Sequence, residues 1–124
     1  MLGWLKARLS RPSPLELWTV SVSADAIATS DGLGTSRSLA IEDLRRVVVA
    51  TDDSGPWGAD VVFLLYSGEE KPVGIFPLEA QGRDAFLDWL EVREGYDPEQ
   101  LVRAMGSTDI ARFTIYRRPG VQPE

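Results

Sequence analysis

Histidine and cysteine, the side chains that most often serve as catalytic bases and nucleophiles near neutral pH, are both absent from this chain of 124 residues. Their absence excludes Ser-His and Cys-His nucleophile pairs, disulfides, and zinc sites built from these two residue types. Ser54 and Ser67 therefore have no histidine base, and Lys71 lies in a charged turn typical of a solvated side chain. The sequence predicts a protein that is not an enzyme and uses no cofactor.

Carboxylates are the remaining groups with possible chemistry, and Asp52, Asp53 and Asp60 bracket a single loop. A calcium loop places oxygen ligands at alternate positions and a glutamate at the twelfth, and this spacing does not match. Hydrolysis of a glycosidic bond needs two differently tuned acids across a cleft, for which the sequence gives no sign. We interpret the three aspartates as solvated acids and predict no metal site.

Trp57 lies in the same loop, between glycines and a proline. A tryptophan that is flanked by acids on such a loop is typical of a binding hot spot with a polar rim. The alternative is that its ring folds back and caps one end of the sheet. The candidate partner-binding residues are therefore Trp57, Asp52, Asp53, Asp60 and, in the first segment, Trp4.

The net charge of −6 is unevenly distributed along the sequence. Residues 1–11 carry three basic side chains and no acid, whereas residues 12–110 carry seven basic and eighteen acidic side chains. An acidic body repels phosphate backbones, so we predict no nucleic-acid binding. Leu2, Leu5 and Leu9 share one stripe of a possible short helix, which favours a terminal arm and leaves weak peripheral membrane contact through residues 1–11 as an alternative.

No segment of the sequence has the length of a membrane span. The longest apolar run, Val61–Tyr66, has six residues, and a transmembrane helix needs about 20. The first residues also lack the apolar stretch and the cleavage site of a secretory signal. The expected location is cytoplasmic.

The elements that must position these residues follow from apolar periodicity and from turn residues. Asp97, Pro98 and Gln100 combine a capping residue, a first-turn proline and a capping-box glutamine, which indicates the start of a helix. The early strands lack crossover helices between them, so we predict an α+β fold: an antiparallel sheet or open barrel of about seven strands with two helices near the C-terminus. The predicted strands are 15–22, 26–29, 36–40, 46–51, 60–67, 73–76 and 112–117, and the predicted helices are 79–93 and 98–105.

The series of strands and turns resembles the pleckstrin-homology-like (PH-like) barrels of small uncharacterised bacterial proteins. The resemblance spans about residues 15–117 and depends on Ile41-Glu42-Asp43-Leu44 leading into Val47-Val48-Val49, on the loop Gly55–Asp60, and on Ile75-Phe76-Pro77 before the first helix. It implies one binding domain over residues 15–118, between a basic arm (1–14) and a tail (119–124), with no catalytic residues. Such domains often bind phosphoinositides through Lys and Arg near the first turn, but here that turn is Ser23-Ala24-Asp25-Ala26, and Arg45-Arg46 alone cannot form a phosphate cage.

Two classes of function remain open. The first is a cytoplasmic protein-interaction module, which could use a sheet edge to add a partner strand. The second is an immunity or inhibitor protein whose acidic surface meets a basic toxin or enzyme. Neither the partner nor the oligomeric state follows from the sequence.

Overall fold

Seven strands form two separate antiparallel sheets in the computed structural model, which describes residues 14–52 and 61–120. The α+β class, the seven strands and the two helices are confirmed for these residues, and the sheets do not close into a barrel. The strands are β1 (Thr19–Val22), β2 (Ala26–Ser30), β3 (Ser36–Ala40), β4 (Arg46–Thr51), β5 (Val61–Tyr66), β6 (Gly74–Pro77) and β7 (Ala111–Arg117), and the helices are α1 (Arg83–Glu91) and α2 (Pro98–Met105).

The first sheet has the order β1-β2-β3, with β3 at its edge. The turn between β2 and β3 is held by Asp31, whose Oδ1 accepts hydrogen bonds from the backbone N–H of Leu33 (2.7 Å) and of Thr35 (3.0 Å). These two bonds favour the ionised carboxylate and lower the pKa of Asp31 below its ordinary value of 3.8.

The second sheet has the order β6-β5-β4-β7, so the last strand in sequence pairs with a central strand. The β-branched residues of β4 explain its central position, because such side chains pack well on a pleated surface. Val47 and Val49 face the core, and Val48, on the opposite side, lies across from Leu64 of β5. The register between β4 and β7 shifts at Val47 and Val48, which marks a bulge.

Three phenylalanines form the centre of the core. Phe63 and Phe76 stack with ring centroids 4.9 Å apart, and Phe86 of α1 meets Phe76 edge-on at 5.2 Å. All three side chains are fully buried, so α1 is joined to β5 and β6 by aromatic contacts. Trp18 and Trp89 are partly buried and pack against this core.

Helix α1 begins later than the sequence predicts. The backbone N–H of Val20 donates to the carbonyl of Gln81 (2.8 Å), and the N–H of Gln81 donates to the carbonyl of Trp18 (2.9 Å). The segment before α1 therefore pairs with β1 instead of adding helical turns, and Gly82 (φ 91°) redirects the backbone into the helix. The predicted start at residue 79 was wrong for this reason.

The start of α2 confirms the capping signal. Asp97 Oδ1 accepts hydrogen bonds from the backbone N–H of Glu99 (3.1 Å) and of Gln100 (3.3 Å), and Pro98 occupies the first turn.

The first predicted strand is shorter than expected, because Pro14–Leu17 forms a 3-10 turn before β1. The predicted helix at residues 1–9 lies outside the described residues.

Candidate functional site

A cleft of about 660 Å³ lies where β3 and the 3-10 turn Ile41–Asp43 approach the end of α1 and the end of β7. Its volume falls within the range of ordinary ligand sites. We call it the arginine cleft, after its two arginines. The polar and aromatic side chains that line it are Asp25, Glu42, Trp89, Arg93, Tyr116 and Arg118.

Arg93 lies over the indole ring of Trp89, with its guanidinium carbon 3.9 Å from the ring centroid. The two residues are four positions apart across the end of α1, which places them on the same side of the helix end. Stacking fixes the plane of the guanidinium without neutralising its charge. The Nε of Arg93 is buried and has no hydrogen-bond partner among the described residues.

Arg118 enters the cleft from the residue that follows β7. Its Nε donates to the carbonyl of Leu44 (2.7 Å) and its Nη2 donates to the carbonyl of Ile41 (2.6 Å). These carbonyls orient the guanidinium but carry no net charge. Neither Arg118 nor Arg93 forms an ion pair with a carboxylate of residues 14–52 or 61–120, so both keep their positive charge in the cleft.

Two exposed carboxylates, those of Asp25 and Glu42, also line the cleft. The Asp25 carboxylate accepts a hydrogen bond from the Ser23 hydroxyl (3.1 Å). The cleft is therefore lined by side chains of both charges.

Tyr96 stands behind this cleft, where its backbone pairs with that of Tyr116. Burial raises the pKa of the Tyr96 phenol, and the carboxylates of Glu91 and Asp97 raise it further. The phenol stays protonated at neutral pH and adds no negative charge beside the cleft.

Further arginines converge on the same end of the molecule. The backbone N–H of Arg118 donates to the carbonyl of Arg45 (2.8 Å), and Arg46 and Arg117 are direct cross-strand neighbours. The Nε of Arg45 is buried without a hydrogen-bond partner among the described residues, as in Arg93. In the sequence Arg45 is adjacent to Arg46, and Arg117 is adjacent to Arg118. The fold brings these two pairs and Arg93 to one end of the molecule.

Most of the residues predicted to bind a partner cannot be placed. Trp4, Asp53, Trp57 and Asp60 lie outside the described residues, so their roles stay predictions. Asp52 is exposed directly after β4, and it lines a second depression of about 460 Å³ with Ile110 and Arg112. Within residues 14–52 and 61–120, no three acidic side chains come together as a metal site would require.

The residues of the arginine cleft were not predicted from the sequence. The spacing of Trp89 and Arg93 was the one signal available, because a four-residue interval at a helix end stacks a cation on an aromatic ring. Arg118 gave no local signal, since its carbonyl partner Leu44 is 74 positions away.

In the part of the molecule that the structure describes, no helix combines the length and the apolar character that crossing a bilayer requires.

Comparisons with known proteins returned no matching family model, no matching curated protein and no matching solved structure.

Proposed function

We propose that this protein is a non-catalytic protein-interaction module that binds its partner in the arginine cleft. The observation that carries the proposal is the composition of the cleft: Trp89, Tyr116, Arg93 and Arg118 line one concave surface. Tryptophan, tyrosine and arginine are the residue types that dominate binding energy at protein interfaces. A cytoplasmic module with a PH-like plan, as the sequence resemblance implies, is consistent with this use.

Arg93 is the most informative position in this cleft, because its guanidinium is positioned by stacking and makes no ion pair among the described residues. Replacing it with glutamate reverses the charge where the partner would bind. Arg103 offers a matched control, since it is an exposed arginine on α2 that does not line the cleft.

We expect Arg93→Glu to lower the affinity for the natural partner at least about tenfold, because it removes a charge-assisted contact and adds a repulsive one. The measurement is capture of proteins from the native cell on the immobilised intact protein, followed by titration of the recovered partner. Arg103→Glu should retain that partner as the unmodified protein does.

Equal recovery by Arg93→Glu and by the unmodified protein would contradict the proposal. A Trp57→Ala variant belongs in the same experiment, because the sequence predicts a hot spot at that residue. If only Trp57→Ala loses the partner, the binding site is the loop and not the arginine cleft. Thermal unfolding of each variant verifies that a lost partner does not reflect a lost fold.

An inhibitor or immunity function is the second candidate, and the surface of α1 favours it. Asp88 and Glu91 are exposed and three positions apart, so they lie side by side on the helix. Neither carboxylate forms an ion pair within the described residues. Such a surface suits a basic target, because opposite charges accelerate association.

For this second function we expect Asp88→Lys to slow association with a basic enzyme partner about tenfold at low ionic strength, and to have much less effect at salt concentrations of about 0.5 M. Surface plasmon resonance with the captured partner measures both rates. An association rate that is the same for the variant and the unmodified protein at low salt would exclude α1 as the docking surface.

A further inference from the structure

Neither guanidinium group of the arginine cleft pairs with a carboxylate of residues 14–52 or 61–120. Arg93 is partly buried, its Nε has no hydrogen-bond partner among the described residues, and it forms no ion pair there. Buried polar groups are almost always satisfied, and an exception calls for a specific explanation. The sequence has nineteen acidic side chains, so a shortage of acids does not explain why this arginine has none.

The geometry of the cleft favours a small planar anion. One face of the Arg93 guanidinium stacks on the Trp89 ring, and the Arg118 guanidinium donates hydrogen bonds to two backbone carbonyls. An arginine fixed in this way presents its remaining N–H groups at set angles, which suits the two oxygens of a carboxylate. The Arg118 guanidinium uses Nε and Nη2 in these bonds, and its Nη1 has no partner among residues 14–52 and 61–120.

The acidic side chains of the cleft reduce the attraction that its arginines exert on a dianion such as phosphate. Asp25 and Glu42 line the same space, and their charges repel a group with two negative charges more than a group with one. The surrounding protein, at a net charge of −6, repels a phosphate-rich surface as well. A carboxylate, with one negative charge, meets less of this repulsion than a dianionic phosphate does, and its two oxygens can still accept hydrogen bonds from an arginine.

From these observations we infer that the arginine cleft recognises a carboxylate group of its partner, supplied by an Asp or Glu side chain or by a free C-terminus. This inference rests on the proposed function of the cleft as a protein-binding site, and it names the chemical group that is bound. It makes Arg93 and Arg118 the specificity-determining residues and gives Trp89 a positioning role.

Three short peptides of glycine and serine, equal in length, test this inference. The first has two central glutamates and an amidated C-terminus, the second has glutamines at those positions and a free C-terminal carboxylate, and the third has the glutamines and the amidated end. Each peptide, and inorganic phosphate as a fourth probe, is titrated into the ¹⁵N-labelled intact protein. The readouts are the Nε–H signal of Arg93 and the indole N–H signal of Trp89.

We expect at least one of the two carboxylate peptides to shift both signals, and the third peptide to leave them unchanged. Arg93→Gln should weaken that binding about tenfold, which is the size expected for one lost charge-assisted hydrogen bond. Arg93→Lys should give an intermediate loss, since it keeps the charge without the planar fork. Arg103→Gln removes the same charge outside the cleft and should bind like the unmodified protein.

Failure of both carboxylate peptides to shift these signals would overturn the inference, as would an equal response to phosphate or an equal loss in Arg103→Gln. This result is distinguishable from failure of the proposed function. If Arg93→Glu loses the natural partner while no carboxylate peptide binds, the proposed interaction function of the cleft stands. Only the inference that the cleft binds a carboxylate is then refuted.

Discussion

Replacing Phe86 with alanine is expected to lower the free energy of unfolding by about 3–5 kcal/mol, the range typical of a fully buried phenylalanine. The Phe86 ring is fully buried and meets the rings of Phe63, Phe76 and Trp89 at centroid distances of 6.3, 5.2 and 5.9 Å. Its removal leaves a cavity and breaks several aromatic contacts at once. Since small domains are stabilised by about 5–15 kcal/mol, much of the stability would be lost.

Urea unfolding followed by tryptophan fluorescence measures this change, and the same helix region supplies a control. Val92 directly follows α1 and is 80% exposed, so Val92→Ala should change the free energy of unfolding by less than about 0.5 kcal/mol. A loss in Phe86→Ala as small as that of this control would mean that α1 is not attached to the core through this ring. The cleft should respond to Phe86→Ala as well, because Trp89 packs on the same side chain.

The second large effect is expected at Gly82, which lies between the segment that pairs with β1 and the start of α1. Its φ of 91° lies in the left-handed region, and a Cβ at this position would overlap the carbonyl oxygen of Val20. That carbonyl belongs to the β1 backbone, so it cannot move away as a flexible side chain would. We expect Gly82→Ala to lower the free energy of unfolding by about 3 kcal/mol, from backbone strain together with the steric overlap.

A substitution at Gly34 measures the effect of backbone strain without the steric overlap. This glycine also has a positive φ, 119°, but a Cβ there would meet no atom within 4 Å. Gly34→Ala should therefore cost only the conformational part, about 1 kcal/mol. Chemical denaturation of both variants gives the comparison, and equal losses at the two positions would show that the contact with Val20 is unimportant.

Local signals predicted most of the fold. The capping residue at Asp97 and the strand over residues 46–51 each depend on neighbours in sequence, and each is present as the sequence predicts. The predicted start of α1 was wrong because it depends on pairing between Gln81 and β1, which are distant in sequence. The division into two sheets is also a property of distant contacts and gives no signal in local periodicity.

The candidate site was much less predictable than the fold. Sequence reasoning selected Trp57 and the aspartates around it, because an aromatic residue on a Gly/Pro loop is a local pattern. The arginine cleft joins the turn before β2, the 3-10 turn after β3, the end of α1 and the residue after β7, and only the tertiary structure brings Arg93 and Arg118 together. An unpaired charge is also invisible in a sequence, because whether a carboxylate lies nearby is decided by folding.

Strand β3 has a consequence for how this protein behaves among its own copies. Within residues 14–52 and 61–120, β2 is its single hydrogen-bonded neighbour, so among these residues one side of its backbone is an unpaired sheet edge. Such an open edge is a template for aggregation when it is long, flat and apolar. This one is five residues long, and Ser36, Arg37 and Ser38 are exposed, with a positive charge near its middle. The short length of this strand and its exposed arginine therefore disfavour edge-to-edge pairing of two copies through β3.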